Sequence, residues 1–502
     1  MRRAQTATAV LAAGCLLGLT VWAPVPGGST AAGPAGTNQA GRLAATRPKS
    51  AVRAGVGRGV LYIDRDGDGY GVASPLGPDA DDTDPTVNTP ETLTRKYGSL
   101  GSFLSRSGRP PGRIRYISPP PAGGSGPTWA TVRPLLAPGD VVVFRKGTYA
   151  GKYVISCAKL RGKAGRPIRI MAYPGEKVVL DGEVASLAVK YSSYLIFDGF
   201  VLDHTAGSSQ AGIPSHDNRH VVYRNLEVRR HYRGWFGMQD LHHILTENCV
   251  FHDNLGSHGI YLGARDRPCS EITIRNCLLY RSGRHGIQFN GRVEGLRIEN
   301  CTIHSNSYGG VSLLNGVCNS VVRGNTIFNN SKQGIVFHLS DSGGKSGVAA
   351  YDQTGNVIEN NIVWVGKVAW KGDAGTPAGH AAIHLNDSTA GKAMEMGGTV
   401  IRGNVLVTYR GPVLRFSHGK FAAAATIEDN LMHRQAGPSR TMAIAEQAYD
   451  FSAFGRFSGR IRRNVFGDPG FAGASVEHFA KPELFDFSRK SRERPTATPP
   501  RQ

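Results

Sequence analysis

Between residues 232 and 333 of this 502-residue chain, the polar stretch ahead of each glycine-led strand carries side chains suited to acid–base work. They are Tyr232 and Arg233, Ser257 and His258, Arg284 and His285, Tyr308, and Lys332 and Gln333. Together these types supply what is needed to open a carboxylate-bearing ring by β-elimination. A cation (Arg284) neutralises the carboxylate, so the neighbouring ring proton becomes acidic. A base (His285 or Lys332) removes that proton, and an acid (Tyr308 or His258) protonates the departing oxygen. The bland alternative is a run of solvated turn residues. Only their assembly in three dimensions separates the two.

The elements that would assemble them repeat. Asparagine returns at positions 225, 248, 276, 300, 325, 361, 404, 430 and 464, with gaps of 23, 28, 24, 25, 36, 43, 26 and 34 residues. Each closes one short strand and opens the next. One unit reads Ile274-Arg275-Asn276-Cys277-Leu278-Leu279, then Ser282-Gly283-Arg284-His285, then Gly286-Ile287-Gln288-Phe289. Asn tolerates the left-handed backbone of a sharp corner. Stacked at the strand spacing of about 4.8 Å, such side chains can also hydrogen-bond along the axis. Self-similarity at this period marks a solenoid, in which each coil buries its apolar face only against its neighbours. The pattern predicts an all-β chain wound as a single-stranded right-handed parallel β-helix. Over roughly residues 114–475 it resembles the pectin-lyase-like superfamily. The opening stretch Pro138-Gly139-Asp140-Val141-Val142-Val143-Phe144 is similar to the first coils of the alginate lyase and chondroitinase B family.

That resemblance implies a substrate lying along the strand after each Gly and along its flanking turn. Strand alternation points Ile260, Leu262, Ile287, Phe289, Val311 and Leu313 inward. It points Tyr261, Gln288, Ser312, Val336 and His384 outward, followed by Gly263, Asn290, Leu314, His338 and Asn386. The expected substrate contacts are therefore Tyr261, Gln288, Asn290, His338, His384 and Arg233, around catalytic Arg284, His285, Lys332, Tyr308 and His258. The first reading is a polysaccharide lyase acting on an acidic, uronate-containing polysaccharide. The second is a non-catalytic carbohydrate-binding or cell-surface protein. A glycoside hydrolase or epimerase comes third, because hydrolysis needs two carboxyl groups about 5–5.5 or about 6.5–9.5 Å apart. The acidic candidates Asp240, Asp266, Asp341 and Asp387 fall on different and mostly non-adjacent coils.

Ahead of the repeats, Asp64-Arg65-Asp66-Gly67-Asp68-Gly69 is followed by Asp79-Ala80-Asp81-Asp82-Thr83-Asp84. Seven carboxylates this close repel unless a cation neutralises them, and alternating Asp with a Gly turn presents hard oxygen ligands. Pro75 stands where an EF-hand would place its twelfth-position Glu. The segment resembles the short Asp-rich metal motif of bacterial surface proteins, in which Cys usually stands where Ala80 is. The expectation is a structural calcium held by Asp64, Asp66, Asp68, Asp79, Asp81, Asp82 and Asp84.

The net charge of +21 favours polyanions. Basic runs lack interleaved aromatics and no nucleic-acid motif occurs, so an acidic glycan ranks ahead of nucleic acid as partner. Residues 1–26 read as an export signal: Arg2 and Arg3, an apolar run from about Ala7 to Val21, then Ala23-Pro24. Cys15 sits inside that run, and lipidation there is the lesser reading. The expected product is a secreted or cell-surface monomer with no transmembrane helix in its mature chain. Residues 27–56 read as linker, 57–90 as the Asp-rich motif, 91–127 as connector, 128–480 as the β-helix and 481–502 as a basic disordered tail. Long gaps imply inserted loops near 339–355 and 366–380. Cys249, Cys277 and Cys301 should stack inward as small apolar side chains. Cys269 and Cys318 are expected to share another register two coils apart, too far for an unstrained bridge, and Cys157 has no evident partner.

Overall fold

The computed structural model describes residues 52–54, 61–106, 108–119, 126–204, 211–340, 351–366, 380–389, 395–418, 421, 424–435, 442–444, 447–449 and 461–466. The export signal, Cys15, most of the linker, most of both inserted loops and the basic tail lie outside these residues.

The described chain winds into a right-handed parallel β-helix of about 11 turns. Three parallel sheets form its walls. The first runs from Ile114–Ile117 through Val141–Phe144, Ile168–Ala172 and Ser193–Asp198 to Ile461–Arg462. The second includes Phe200–Asp203, Glu227–Arg229, Val250–His252, Leu278–Tyr280 and Thr302–His304. The third holds the glycine-led strands, in the register Trp235, Ile260, Ile287, Val311, Ile335, Ile383, Leu414. Inward residues form one continuous apolar column, with Trp235, Phe251, Phe289 and Phe337 among the fully buried side chains. Burying each such side chain contributes about 1.5–3 kcal/mol, which is why coils stack.

The glycine ahead of the third-sheet strands is a steric requirement from Gly234 to Gly334. A Cβ on Gly234 would stand 2.4 Å from the Gly259 carbonyl oxygen, and one on Gly310 would meet Ile327 at 2.4 Å.

The asparagine series is two ladders, not one. Asn225, Asn248, Asn276 and Asn300 occupy the left-handed corner, with φ of 53–54°. From Gly324 onward other residues take that corner, including Asn360, Gly403, Asp429 and Arg463. Asn325, Asn361, Asn404, Asn430 and Asn464 sit one position later. The first four of these are fully buried. Each of these four donates Nδ2–H to the next Oδ1 at 2.9 Å, and the same oxygen accepts its backbone N–H. The Cys301 N–H donates to Asn325 Oδ1, so the amide column continues the thiol column Cys249, Cys277, Cys301. The six described cysteines are free. Cys269 and Cys318 are one register apart rather than in a common one, because Cys269 pairs with Val293 whereas Cys318 pairs with Glu294.

Two segments read as linker and connector carry structure. Val52–Ala54 pairs antiparallel with Leu61–Ile63. Residues 91–127 contain most of the helix Pro90–Tyr97, the helix Leu100–Ser105 and the first coil strand Ile114–Ile117. The helix Trp129–Val132 and its one-turn extension Arg133–Leu135 lie at the start of the stack, with Val132 in the core. No described helix is long and apolar enough to cross a membrane.

Candidate functional site

Seven consecutive third-sheet strands carry the candidate face. They begin at Arg233, Ile260, Ile287, Val311, Ile335, Ile383 and Leu414, and are numbered here as coils 1 to 7. Register places Phe236, Tyr261, Gln288, Ser312, Val336, His384 and Arg415 in one outward row. The turns ahead of these strands stack in the same way. Tyr308 N–H donates to the Arg284 carbonyl at 3.1 Å and Lys332 N–H to the Tyr308 carbonyl at 3.0 Å.

The side chains form an unbroken string across five coils. The Arg233 guanidinium lies over Phe236 at 4.6 Å, and Phe236 stacks on Tyr261 at 5.7 Å. Tyr261 meets His258 at 5.1 Å, and His258 stacks on His285 at 5.6 Å with planes 4° apart. His285 touches Tyr308 at 5.5 Å, and Lys332 Nζ stands 3.8 Å from the Tyr308 ring centre. The five expected catalytic residues are therefore brought together, with Tyr261, Gln288 and Arg233 beside them.

Their charges are one-sided. Among the described residues Arg233, Arg284 and Lys332 have no carboxylate partner. On the neighbouring walls arginines are paired: Arg224 with Asp198, Arg275 with Glu247, Arg281 with Asp253 and Arg402 with Glu359. The face thus holds uncompensated positive charge, and its imidazoles respond. Burial, reinforced by Lys332 and Arg284, depresses His285 to about 3. Burial, then His285 and Arg284, hold His258 well below its usual value. Burial and Arg415 depress His384 to about 3, and burial lowers His338. These rings are neutral near neutral pH.

Four expected roles change. His258 is buried, neutral and occupied at both nitrogens, Nδ1 by Ser257 Oγ at 2.8 Å and Nε2 by Gln288 Oε1 at 3.0 Å. It cannot serve as the proton donor and acts instead as a prop for Gln288. Asn290 is buried and accepts from Asn315 Nδ2 at 3.0 Å, because the chain turns at Gly291 (φ 105°), so it does not face a substrate. His384 is only 7% exposed, and His338 Nε2 is engaged with Ser388 Oγ at 2.9 Å. The sequence reading missed Phe236 and Arg415. Phe236 was legible as the second residue after Gly234. Arg415 was not, since Val413 stands where the other coils have Gly or Ala.

The Asp-rich loop is anchored at two points. Leu61, Ile63 and Val72 pack on Val250, Leu278 and Tyr280 of the second sheet. Ala80, Val87, Leu93, Leu100 and Phe103 pack on Val141, Val143 and Met171 of the first. Within it, one oxygen each of Asp64, Asp66 and Asp68 lie within 4.8 Å of one another. Asp66, Asp68 and Asp79 each hold an Oδ2 that is shielded from water and has no hydrogen-bond partner. Burial, with Asp68, Asp82 and Asp66 nearby, pushes Asp79 up to about 8. Burial raises Asp82 to about 7 against the Arg65 backbone N–H it accepts. An oxygen-only set that resists ionising suits a hard cation. Asp81 and Asp84 do not belong to it. Asp81 pairs with Arg106 and accepts from Thr83 and Tyr97, and Asp84 pairs with Lys96. A cavity of about 340 Å³ separates this loop from the coil wall, lined by Asp79, Asp82, Arg169 and Asp198 among others.

The fold has relatives. A family model described as the right-handed β-helix region matches residues 182–327 and 236–411. No curated protein matches. Similar solved structures include XylC in complex with xylose, at 10% identity over 71% of this chain and 87% of that one, TM-score 0.50. Pectate lyase Pel9A matches at 14% identity over 72% and 76%, TM-score 0.37. An alginate lyase from Paenibacillus sp. str. FPU-7 matches at 16% identity over 66% and 98%, TM-score 0.35. At these identities the likeness is one of fold.

Proposed function

We propose that this is an exported protein that binds an acidic, uronate-containing polysaccharide along coils 1 to 7 and cleaves it by β-elimination. One observation carries the reading. Among the described residues Arg284 and Lys332 lack carboxylate partners, and they flank Tyr308, which is 37% exposed. An anionic sugar would supply the missing counter-charge. Arg284 neutralises the uronate carboxylate. The His285 imidazole, already neutral, takes the ring proton; its electron pair forms the new double bond as the glycosidic C–O bond breaks. Tyr308 gives its phenolic proton to the leaving oxygen, with Lys332 fixing the ring.

Asp64, Asp66, Asp68, Asp79 and Asp82 are proposed to hold a calcium ion. Its part there is structural: it offsets the repulsion among carboxylates that fold the loop onto the coils.

Alginate, pectate, hyaluronan, chondroitin and heparin should be offered in turn, and the absorbance of a new double bond followed with and without chelator. Absorbance on one of them supports elimination. Salt-sensitive retention with no absorbance on any supports the second reading, a carbohydrate-binding protein. That reading is favoured by the occupied, neutral His258.

A further inference from the structure

The free cations do not fall on every coil. Among the described residues, Arg233 belongs to coil 1, Arg284 to the turn of coil 3 and Lys332 to the turn of coil 5. On the even coils the same positions hold uncharged groups: Ser257, His258 and Tyr261 on coil 2, Tyr308 and Ser312 on coil 4, and His384 on coil 6. From coil 1 to coil 5, coils with a cation alternate with coils that have none.

We infer that the face is built for a glycan presenting one carboxylate to the protein per disaccharide. The inference rests on the proposed polysaccharide site and names the class of substrate it selects. Two strand spacings amount to about 9.6 Å, which matches the length of an extended disaccharide. In an equatorially linked uronan each sugar is turned half a revolution from its neighbour, so carboxylates facing one side recur at every second sugar. An alternating uronate–hexosamine chain has the same period. Each carboxylate then meets Arg233, Arg284 or Lys332. The intervening sugar, its carboxylate or neutral substituent turned away, lies against Tyr261 or Tyr308. A ligand with charge at every sugar on the same face would place every second carboxylate over a ring, where desolvation is uncompensated.

The test uses the full chain carrying Tyr308→Phe, which keeps the ring and slows turnover, titrated calorimetrically with uronate oligosaccharides of two to eight sugars. A neutral oligosaccharide series and polyglutamate of matched charge serve as controls. Affinity should rise in steps at every second sugar, each step about tenfold, as for a hydrogen bond to a charged group. Lys332→Gln and Arg284→Gln should each delete one step and reduce salt sensitivity. Equal increments for every added sugar, or polyglutamate binding as tightly, would overturn the inference. Absence of binding by every anionic oligosaccharide would remove both this inference and the function proposed above. Steps without any double-bond product from the unsubstituted protein would remove only the elimination reading.

Discussion

Lys332 places its Nζ 3.8 Å from the centre of the Tyr308 ring, on the coil directly after it. The ammonium holds the phenol in place and leaves its hydroxyl free to approach a ligand. Tyr308→Phe should keep this contact and lower turnover by about 10²–10⁴-fold, the usual contribution of a positioned acid. Polysaccharide affinity should change little. Equal losses of affinity and turnover in this variant would assign Tyr308 to binding alone.

Arg284→Ala removes an exposed cation with no carboxylate partner among the described residues, so folding should be preserved. The thermal midpoint should stay within a degree or two of the parent, as for most exposed substitutions. Affinity for acidic glycan should fall about tenfold or more, and the loss should shrink as salt is raised. A large drop in midpoint would mean that Arg284 supports the coil rather than a ligand.

The Asp-rich loop predicts a linked dependence on pH and calcium. Asp79 and Asp82 are raised to about 8 and about 7, above their unfolded values. The native state therefore holds protons that the unfolded chain has released, and stability without metal falls as pH climbs toward 8. A bound cation favours the ionised carboxylates, so calcium should stabilise more at pH 8 than at pH 6. Midpoints in EDTA and in calcium at both values check this. A calcium increment that is the same at both, or absent, would dismiss the cation.

The imidazoles pull the other way. His258, His285 and His384 are depressed in the native state. As pH drops below about 6.5 the unfolded chain gains protons that these residues refuse, so stability declines with acidification. His252 opposes this: burial lowers it, but Asp253 and Glu227 raise it overall. His285→Gln should flatten the acid slope. Imidazole resonances of the three rings should stay fixed between pH 8 and 5; titration near 6.5 would refute their depression.

The repeat, the walls and the contents of the groove were legible because strand alternation and a recurring corner residue leave a regular trace. The string from Tyr261 to Lys332 follows from that trace alone. What escaped was local. Asn225 and Asn361 are the same residue type with different duties, one bending the backbone and the other bridging coils, and a one-residue slip at Gly324 exchanges them. Asp81 and Asp84 looked like ligands because Arg106 and Lys96, which claim them, come from helices up to 25 residues away. The occupancy of His258 depended on Gln288, one coil further on.

Asn361→Ala deletes a fully buried amide bonded to Asn325 and Asn404. Each orphaned partner costs about 1–3 kcal/mol, so the variant should lose several degrees of thermal midpoint. Cys277→Ala, in the thiol stretch, should cost less. Equal losses would mean that the amide bonds add nothing beyond packing.

The handover from sulfur to amide at Asn325 divides how the rod can come apart. At this corner a thiol tolerates the departure of its neighbour, so the early coils are joined less firmly here. A bridging amide answers to the coil on either side, and the later tract must yield as a block. Slow amide exchange should therefore switch on abruptly past residue 325 instead of rising gradually toward the middle.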